Sequence, residues 1–195
     1  MNISNVKNPP LVALTIDELL RKEIPERNNL LSPWLPSQGL CMLYSTRGLG
    51  KTWMALAIAN AVASNDSFLS WETESPEGVL YIDGEMPMAV MQERLAQIVA
   101  SSSKEISAPF SIITPDAQEF GIPDLSRTDG QERINKLITD ETKLIVMDNL
   151  SSLTRTGKEN EGESWLPVQE WALRLRSSGK TVLFVHHSGK NGQQR

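Results

Sequence analysis

One loop of the sequence, residues 45–53, has the composition of a phosphate-binding loop. A short apolar run enters it and a strongly helical run leaves it. In this strand–loop–helix order, backbone N–H groups and the positive end of the helix face phosphate oxygens. The ammonium of Lys51 then reaches the terminal phosphates of a nucleotide, and the hydroxyl of Thr52 binds Mg²⁺. The residues predicted to line the nucleotide are Ser45, Thr46, Arg47, Gly48, Leu49, Gly50, Lys51, Thr52 and Trp53.

The start of this loop departs from the general pattern, which has glycine at its first position where this chain has Ser45. The tripeptide Gly50-Lys51-Thr52 by itself is also compatible with an ordinary helix start that carries an exposed lysine. The flanking elements favour phosphate binding, because a random tripeptide rarely falls between a predicted strand and a predicted helix.

An acid that could help to hold Mg²⁺ follows the clearest apolar run of the chain, residues 144–147. A phosphate-binding loop needs a second acid at the end of a neighbouring strand to position Mg²⁺ through water. Asp148 fits that requirement together with Thr52. The alternative is that Asp148 only caps a turn.

A second acid, Glu85, lies just past the predicted strand 78–83 and is a candidate catalytic group. Nucleotide hydrolysis needs a base or a water-orienting group at the carboxyl edge of the sheet. Asp83 competes for this function, and an ordinary solvated carboxylate is the remaining alternative. We favour Glu85, because a glutamate clear of the metal fits this function and Gly84 is expected to break the alternation that would place Glu85 on the same side as Asp83.

Two adjacent histidines, His186 and His187, end the last predicted strand and point to opposite faces of the sheet. Either one is a candidate to sense a γ-phosphate by donating a hydrogen bond to it. The alternative is one core histidine and one exposed histidine. A metal site is not expected, because adjacent strand residues diverge and no further cysteine or histidine lies nearby.

Size and composition predict one soluble α/β domain in a reducing compartment. The chain has 195 residues, a net charge of −5, an estimated pI of 5.2 and a single cysteine, Cys41. The net negative charge excludes a surface that is basic overall and could bind nucleic acid in that way. A single cysteine excludes a disulfide framework. The polar N-terminus offers no signal peptide or membrane span, so we expect a cytoplasmic protein without membrane contact.

The order of elements predicts a mainly parallel sheet covered by helices on both faces. Strands are expected before the loop and at 78–83, 110–113, 144–148 and 181–187; helices are expected at 53–63, 90–99, 131–139 and 165–175, with a short N-terminal helix that begins at Thr15 or Asp17. We predict an N-terminal lead-in at 1–38 and one ATPase domain at 39–195. Because the chain stops in a strand-exit loop, the domain is expected to be truncated on its C-terminal side.

Four short runs carry these chemical residues in order along the chain: Ser-Thr-Arg-Gly-Leu-Gly-Lys-Thr (45–52), Tyr-Ile-Asp-Gly-Glu-Met-Pro (81–87), Ile-Val-Met-Asp-Asn-Leu (145–150) and Phe-Val-His-His-Ser-Gly-Lys (184–190). Together they resemble the RecA-like P-loop ATPases. The resemblance is closest to the plasmid RepA group of hexameric replicative helicases and its AAA-type relatives in plasmids and phages. It covers the chain from about residue 30 to the end.

The resemblance implies the roles of the site residues and the arrangement of the strands. Lys51 and Thr52 would bind ATP and Mg²⁺, Asp148 would be the metal acid, Glu85 the catalytic glutamate, and His186 or His187 the γ-phosphate sensor. The strand of the histidines would lie between the strand of the loop and the strand of Asp148.

The resemblance also implies assembly into a ring, such as a hexamer, with each nucleotide at a subunit interface. A neighbouring subunit would complete the site with an arginine. That arginine is expected beyond Arg195, which is itself a poor candidate.

Single-stranded DNA would be contacted through two loops, 151–163 and 188–195. Their basic residues are Arg155 and Lys158 in the first and Lys190 and Arg195 in the second; Glu159, Glu161 and Glu163 oppose them. Solvated mobile loops are the alternative. At the level of the whole protein, the alternatives to a helicase are an ATP-dependent regulatory switch and a passive nucleotide-binding module.

Overall fold

The computed structural model describes residues 11–24, 27–155 and 161–187, except for the side chains of 161–164. The strands are β1 (Asn29–Leu31), β2 (Leu35–Pro36), β3 (Leu40–Ser45), β4 (Gly78–Asp83), β5 (Phe110–Ile113), β6 (Thr142–Asp148) and β7 (Thr181–His187). The helices are α1 (Ile16–Arg21), α2 (Lys51–Ser64), α3 (Met88–Ser101), α4 (Thr128–Asn135), α5 (Leu150–Leu153) and α6 (Glu161–Ser177), with a 3₁₀ turn at Pro115–Ala117.

Five strands form one parallel sheet in the order β3-β7-β6-β4-β5. The predicted α/β fold is confirmed, and β7 lies between β3 and β6 as the resemblance implied. The register places Ser45 beside His187 and Asp83 beside Asp148. The carboxyl ends of four neighbouring strands therefore meet at one edge, which is where open α/β sheets bind their ligands.

Each face of the sheet is covered by its own apolar cluster, as the continuous apolar strands predicted. On one face, α2 and α3 pack over side chains such as Val146 and Val185. On the other face, α4, α5 and α6 pack over Ile145 and Phe184, and Trp171 of α6 is almost fully buried there. The side chains of each strand thus alternate between two cores, which fixes the face on which each site residue emerges.

Residues 30–35 pack against the first of these cores, whereas residues 11–24, which include α1, are exposed. Thr15 caps α1 through a capping box with Glu18. Trp34 lies edge-to-face with Trp71, with 5.1 Å between the ring centroids, and packs against this core. Trp71 also packs on Phe68, with 5.8 Å between the ring centroids.

Helix α4 lies a few residues earlier than the predicted 131–139. It begins at Thr128 and ends at Asn135, which leaves Leu137 54% exposed. Gly130 explains the early start, because a Cβ there would collide with the carbonyl oxygen of Asp124. This close approach lets the first turn of α4 pack against the preceding loop, a tertiary contact that overrides the apolar spacing.

The connection at 151–163 is not a loop throughout, which corrects the prediction. Asn149 caps the short helix α5, since its Oδ1 accepts a hydrogen bond from the backbone N–H of Ser152 at 3.0 Å. Asparagine is a preferred N-cap residue, so this signal was present in the sequence. Helix α6 then begins at Glu161. Among the described residues, no helix combines the length and the apolar character needed to cross a membrane.

Candidate functional site

The loop between β3 and α2 has the open backbone geometry that phosphate binding requires. Gly48 and Gly50 have φ angles of 83° and 84°, in the left-handed region that favours glycine. Gly50 is the N-cap of α2, and no side chain in the described part of the chain caps the first turn. The N–H groups at this end of the helix therefore remain for an anion.

Lys51 is folded over its own loop. Its Nζ donates to the carbonyl oxygens of Ser45 and Thr46, both at 2.8 Å, and to Oγ of Ser45 at 3.3 Å. The side chain is only 7% exposed, and burial lowers the pKa of the ammonium. The exposed lysine of an ordinary helix start is therefore not what the structure has. The ammonium of Lys51 is hydrogen-bonded to carbonyl oxygens of the loop. Phosphate oxygens can take the place of these carbonyl oxygens, so that the ammonium keeps its hydrogen-bond acceptors.

Asp148 ends β6 as a buried acid with a hydroxyl partner. Its Oδ2 accepts a hydrogen bond from the hydroxyl of Tyr81 at 2.6 Å, and the hydroxyl of Thr52 lies near enough to its carboxylate to lower the pKa. The side chain is 3% exposed, and burial raises its pKa above the ordinary value. The structure thus brings Thr52 and Asp148 together, as their predicted shared function requires.

These two residues fit Mg²⁺ by their chemistry. A threonine hydroxyl and an aspartate carboxylate are the hard oxygen donors that Mg²⁺ prefers, and the ion usually keeps several water ligands. Within the described residues, no three or more His, Cys, Asp or Glu side chains form a group that could hold a metal ion. A cation here would be held by Thr52 and Asp148 together with phosphate oxygens and water.

Asp83 is a buried acid that organises the chain leaving β4. It is 1% exposed, and its Oδ2 accepts a hydrogen bond from the backbone N–H of Met86 at 2.8 Å. Burial raises the pKa of this carboxyl to about 7. The side chain has little contact with solvent, so it is poorly placed to meet an attacking water.

Glu85 lies just past the end of β4 and is exposed. Gly84 turns the chain there: its N–H donates to the carbonyl oxygen of Asp148 at 2.7 Å. A Cβ on Gly84 would collide with Oγ of Ser152, so the turn needs glycine. This is the expected break in the strand. The carboxylate charge of Glu85 acts on Lys51 and on Asp148, which places it beside the loop and the metal acid.

The two histidines lie on different faces of β7. His187 shares its face with Val185 and therefore with α2, whereas His186 shares the face of Phe184. Burial lowers the pKa of His187, and the neighbouring charges of Lys51 and Arg47 lower it further. Of the two histidines, the geometry favours His187 as the one that faces the loop.

Asn149 determines which nitrogen of His187 carries a proton. Its Oδ1 is engaged by Ser152, so its Nδ2 must donate to Nε2 of His187, 3.1 Å away. Neutral His187 then carries its proton on Nδ1. This buried nitrogen has no hydrogen-bond partner among the described residues. The ring thus presents an N–H donor rather than an acceptor.

Sequence reasoning missed two residues that the fold adds to the site, Tyr81 and Asn149. The signal for Tyr81 was its position two residues before Asp83, on the same face of β4. Trp53, predicted to line the nucleotide, has its ring under the guanidinium of Arg94, with 5.4 Å between Cζ and the ring centroid. Trp53 follows Thr52 directly and is 36% exposed, which leaves part of the ring accessible.

The predicted DNA-contacting residues lie mostly outside the described residues. This holds for Lys158, Lys190 and Arg195. Arg155 is exposed, and its backbone N–H donates to Oδ1 of Asp124 at 3.1 Å. The start of the first loop is thus tied to the segment that precedes α4.

Comparison with known proteins adds a family relationship. A family model described as an AAA domain matches residues 7–193, nearly the whole chain. Comparison with curated proteins gives no significant match. The matched range includes all five strands of the sheet, the loop and every acid that the geometry brings to the carboxyl edge.

Proposed function

The chain belongs to the AAA-domain family, a family of P-loop ATPases, and we propose that it hydrolyses Mg²⁺-bound ATP as a RepA-like DNA helicase in plasmid or phage replication. One observation carries the ATPase proposal. The residues that we propose to bind and cleave a nucleoside triphosphate come from four separate segments and meet at one edge of the sheet. They are Lys51, Thr52, Glu85, Asp148 and His187.

The chemical step follows from the chain's own groups. A water attacks the γ-phosphorus in line with the β–γ bridging oxygen, whose bond to phosphorus breaks, and Glu85 accepts the proton of that water. Lys51 exchanges the carbonyl oxygens of Ser45 and Thr46 for phosphate oxygens and stabilises the developing charge. Thr52 and Asp148 would hold Mg²⁺, which supplies charge neutralisation at the β- and γ-phosphates when bound.

His187 is proposed as the γ-phosphate sensor in preference to His186. The tautomer held by Asn149 gives His187 an N–H donor at Nδ1, which suits a phosphate oxygen. The same residue, Asn149, caps α5. A change at the γ-phosphate could therefore reach the segment after β6 through one side chain.

Assembly and DNA binding are the finer parts of the proposal. We propose a homo-oligomeric ring, such as a hexamer, in which an arginine of the neighbouring subunit completes the site. An arginine supplied in trans is worth about 10³–10⁵ in rate for such enzymes. Turnover per subunit should then rise steeply with protein concentration, in step with the oligomer seen by light scattering. Single-stranded DNA is proposed to bind through the segments 151–163 and 188–195.

Phosphate release with Lys51→Ala tests the ATPase proposal. The variant should lose ATP binding and turnover, whereas Lys136→Ala, which removes an exposed lysine at the end of α4, should leave both unchanged. Lys51→Ala also frees two loop carbonyls, so circular dichroism should confirm that the variant is folded. Equal ATP affinity and turnover in a folded Lys51→Ala protein would refute nucleotide binding at this loop.

A forked duplex separates the remaining possibilities. ATP-dependent unwinding supports a helicase. Turnover without unwinding indicates a regulatory switch, and nucleotide binding without turnover indicates a passive binding module. Each of these outcomes is compatible with the proposed nucleotide site. They differ only in the function that the site serves.

A further inference from the structure

Tyr81 lies at the centre of the candidate site but has no function in the chemistry described above. It is in the middle of β4 and is fully buried. Its hydroxyl donates to Oδ2 of Asp148 at 2.6 Å, a short distance typical of a hydrogen bond to a charged oxygen. The contact joins two neighbouring strands, β4 and β6.

The geometry restricts how Asp148 can turn. Asp148 pairs with Asp83 across the two strands, and Tyr81 lies two residues earlier on the same face of β4. The phenol therefore reaches along the sheet toward its carboxyl edge and meets the carboxylate there. With Oδ2 held by Tyr81, the carboxylate cannot turn without breaking that hydrogen bond, and the hydroxyl of Thr52 lies near it.

We propose that Tyr81 is a positioning residue for Mg²⁺: its hydroxyl orients the carboxylate of Asp148 toward Thr52 and so sets the affinity of the metal site. This inference rests on the proposed ATPase function, because it assumes that Asp148 serves the metal. Residues that orient metal-binding groups typically contribute about 10–100-fold to metal affinity or activity.

Tyr81→Phe removes only the hydroxyl and keeps the ring that packs in the core. Calorimetry with a non-hydrolysable ATP analogue, over a series of Mg²⁺ concentrations and in EDTA, measures metal dependence without turnover. The variant should bind the analogue in EDTA as the unchanged protein does. Its half-saturating Mg²⁺ concentration should rise by about 10–100-fold. An unchanged midpoint would overturn the proposal.

The chain offers a matched control. It contains two tyrosines, and the other, Tyr44, is 54% exposed on β3. Tyr44→Phe should leave the Mg²⁺ midpoint unchanged. If the unchanged protein binds no nucleotide in either condition, the proposed function itself fails. If it binds with a clear Mg²⁺ dependence that Tyr81→Phe does not alter, only the positioning inference fails.

A second measurement does not depend on the folding of Tyr81→Phe. In the Tyr44→Phe background Tyr81 is the only tyrosine, so 3-fluorotyrosine gives a single fluorine resonance in the NMR spectrum. With the nucleotide analogue present, this resonance should move when Mg²⁺ is added. It should not move with Mg²⁺ in an Asp148→Asn version of the same protein. The proposal would be contradicted if the position of the resonance did not change with Mg²⁺ while calorimetry showed that the metal binds.

Discussion

Two regions of this protein contain a buried aspartate, and the surroundings of the two acids are opposite. Asp66 follows α2, is 7% exposed, and accepts hydrogen bonds from backbone and side-chain donors on both carboxylate oxygens. These donors hold its pKa far below the ordinary value. Asp148 is 3% exposed, but its side chain accepts a hydrogen bond from one hydroxyl, that of Tyr81, and burial raises its pKa.

The difference shows that burial alone does not mark a functional acid. The donors to Asp66 are Ser67 N, Ser102 Oγ, Ser103 N, Ser103 Oγ and Lys104 N. They tie the end of α2 to the end of α3, which is a structural role. Asp148 is left with capacity to accept more, at an edge that also contains Lys51 and Glu85. An incompletely satisfied buried acid beside other charges is the mark of a site.

Of the changes at these two acids, Asp148→Asn should give the larger effect, and it should be on activity. The amide keeps the shape but loses the charge that serves the metal, so turnover of ATP should fall on the order of 10²–10³-fold. The unfolding temperature should stay the same or rise, because a buried charge is removed. Thermal unfolding and phosphate release on the same sample check both. A folded variant with full turnover would remove Asp148 from the site.

Asp66→Asn, the same change at the other acid, should have the opposite effect: it should lower stability and leave activity unchanged. Whichever way the new amide is turned, its nitrogen would face a backbone N–H, of Ser67 or of Ser103, so the network loses several bonds. We expect the free energy of unfolding to fall by about 3 kcal/mol. Turnover per folded molecule should not change. Asp129→Asn, which affects an exposed ion pair with Arg127, is the control and should cost about 0.5 kcal/mol or less.

Lowering the pH should produce a smaller loss of stability. It has the same cause, which is the loss of the hydrogen bonds that Asp66 accepts as a carboxylate. The folded pKa of Asp66 is lowered, so its stabilising contribution is present above the unfolded pKa, about 3.9, and is lost as the pH falls toward the folded value. The stability difference between the unchanged protein and Asp66→Asn should therefore be constant from pH 7 to 5 and narrow below about pH 4. A difference that is independent of pH would mean that Asp66 is not held as a carboxylate.

The sheet was predictable from the sequence because each central strand is a continuous apolar run and a chemical residue follows it. Lys51, Asp148 and Glu85 could be proposed from these positions alone. The strand order followed from the resemblance, and the structure has the same order. Helix α4 was displaced because its first turn depends on the close approach of Gly130 to the carbonyl of Asp124, which apolar spacing does not record.

The contacts between strands could not be predicted, because they depend on register. Tyr81 meets Asp148 only because β4 and β6 pair with Asp83 opposite Asp148. The choice between His186 and His187 likewise depends on which face of β7 meets α2. The network of Asp66 joins positions 37 residues apart. Each of these relations is set by the packed sheet and its helices.

We propose that Glu85, and not the buried Asp83, activates the water that cleaves ATP. Phosphate release by Glu85→Gln and Asp83→Asn, each at saturating Mg²⁺ and ATP, tests it most directly. Glu85→Gln should bind ATP normally and lose turnover by about 10²–10⁴-fold, because the amide keeps the shape without the basicity. Asp83→Asn should retain turnover within about tenfold, because its oxygen can still accept from Met86. Turnover that persists in Glu85→Gln and vanishes in a folded Asp83→Asn protein would contradict the account.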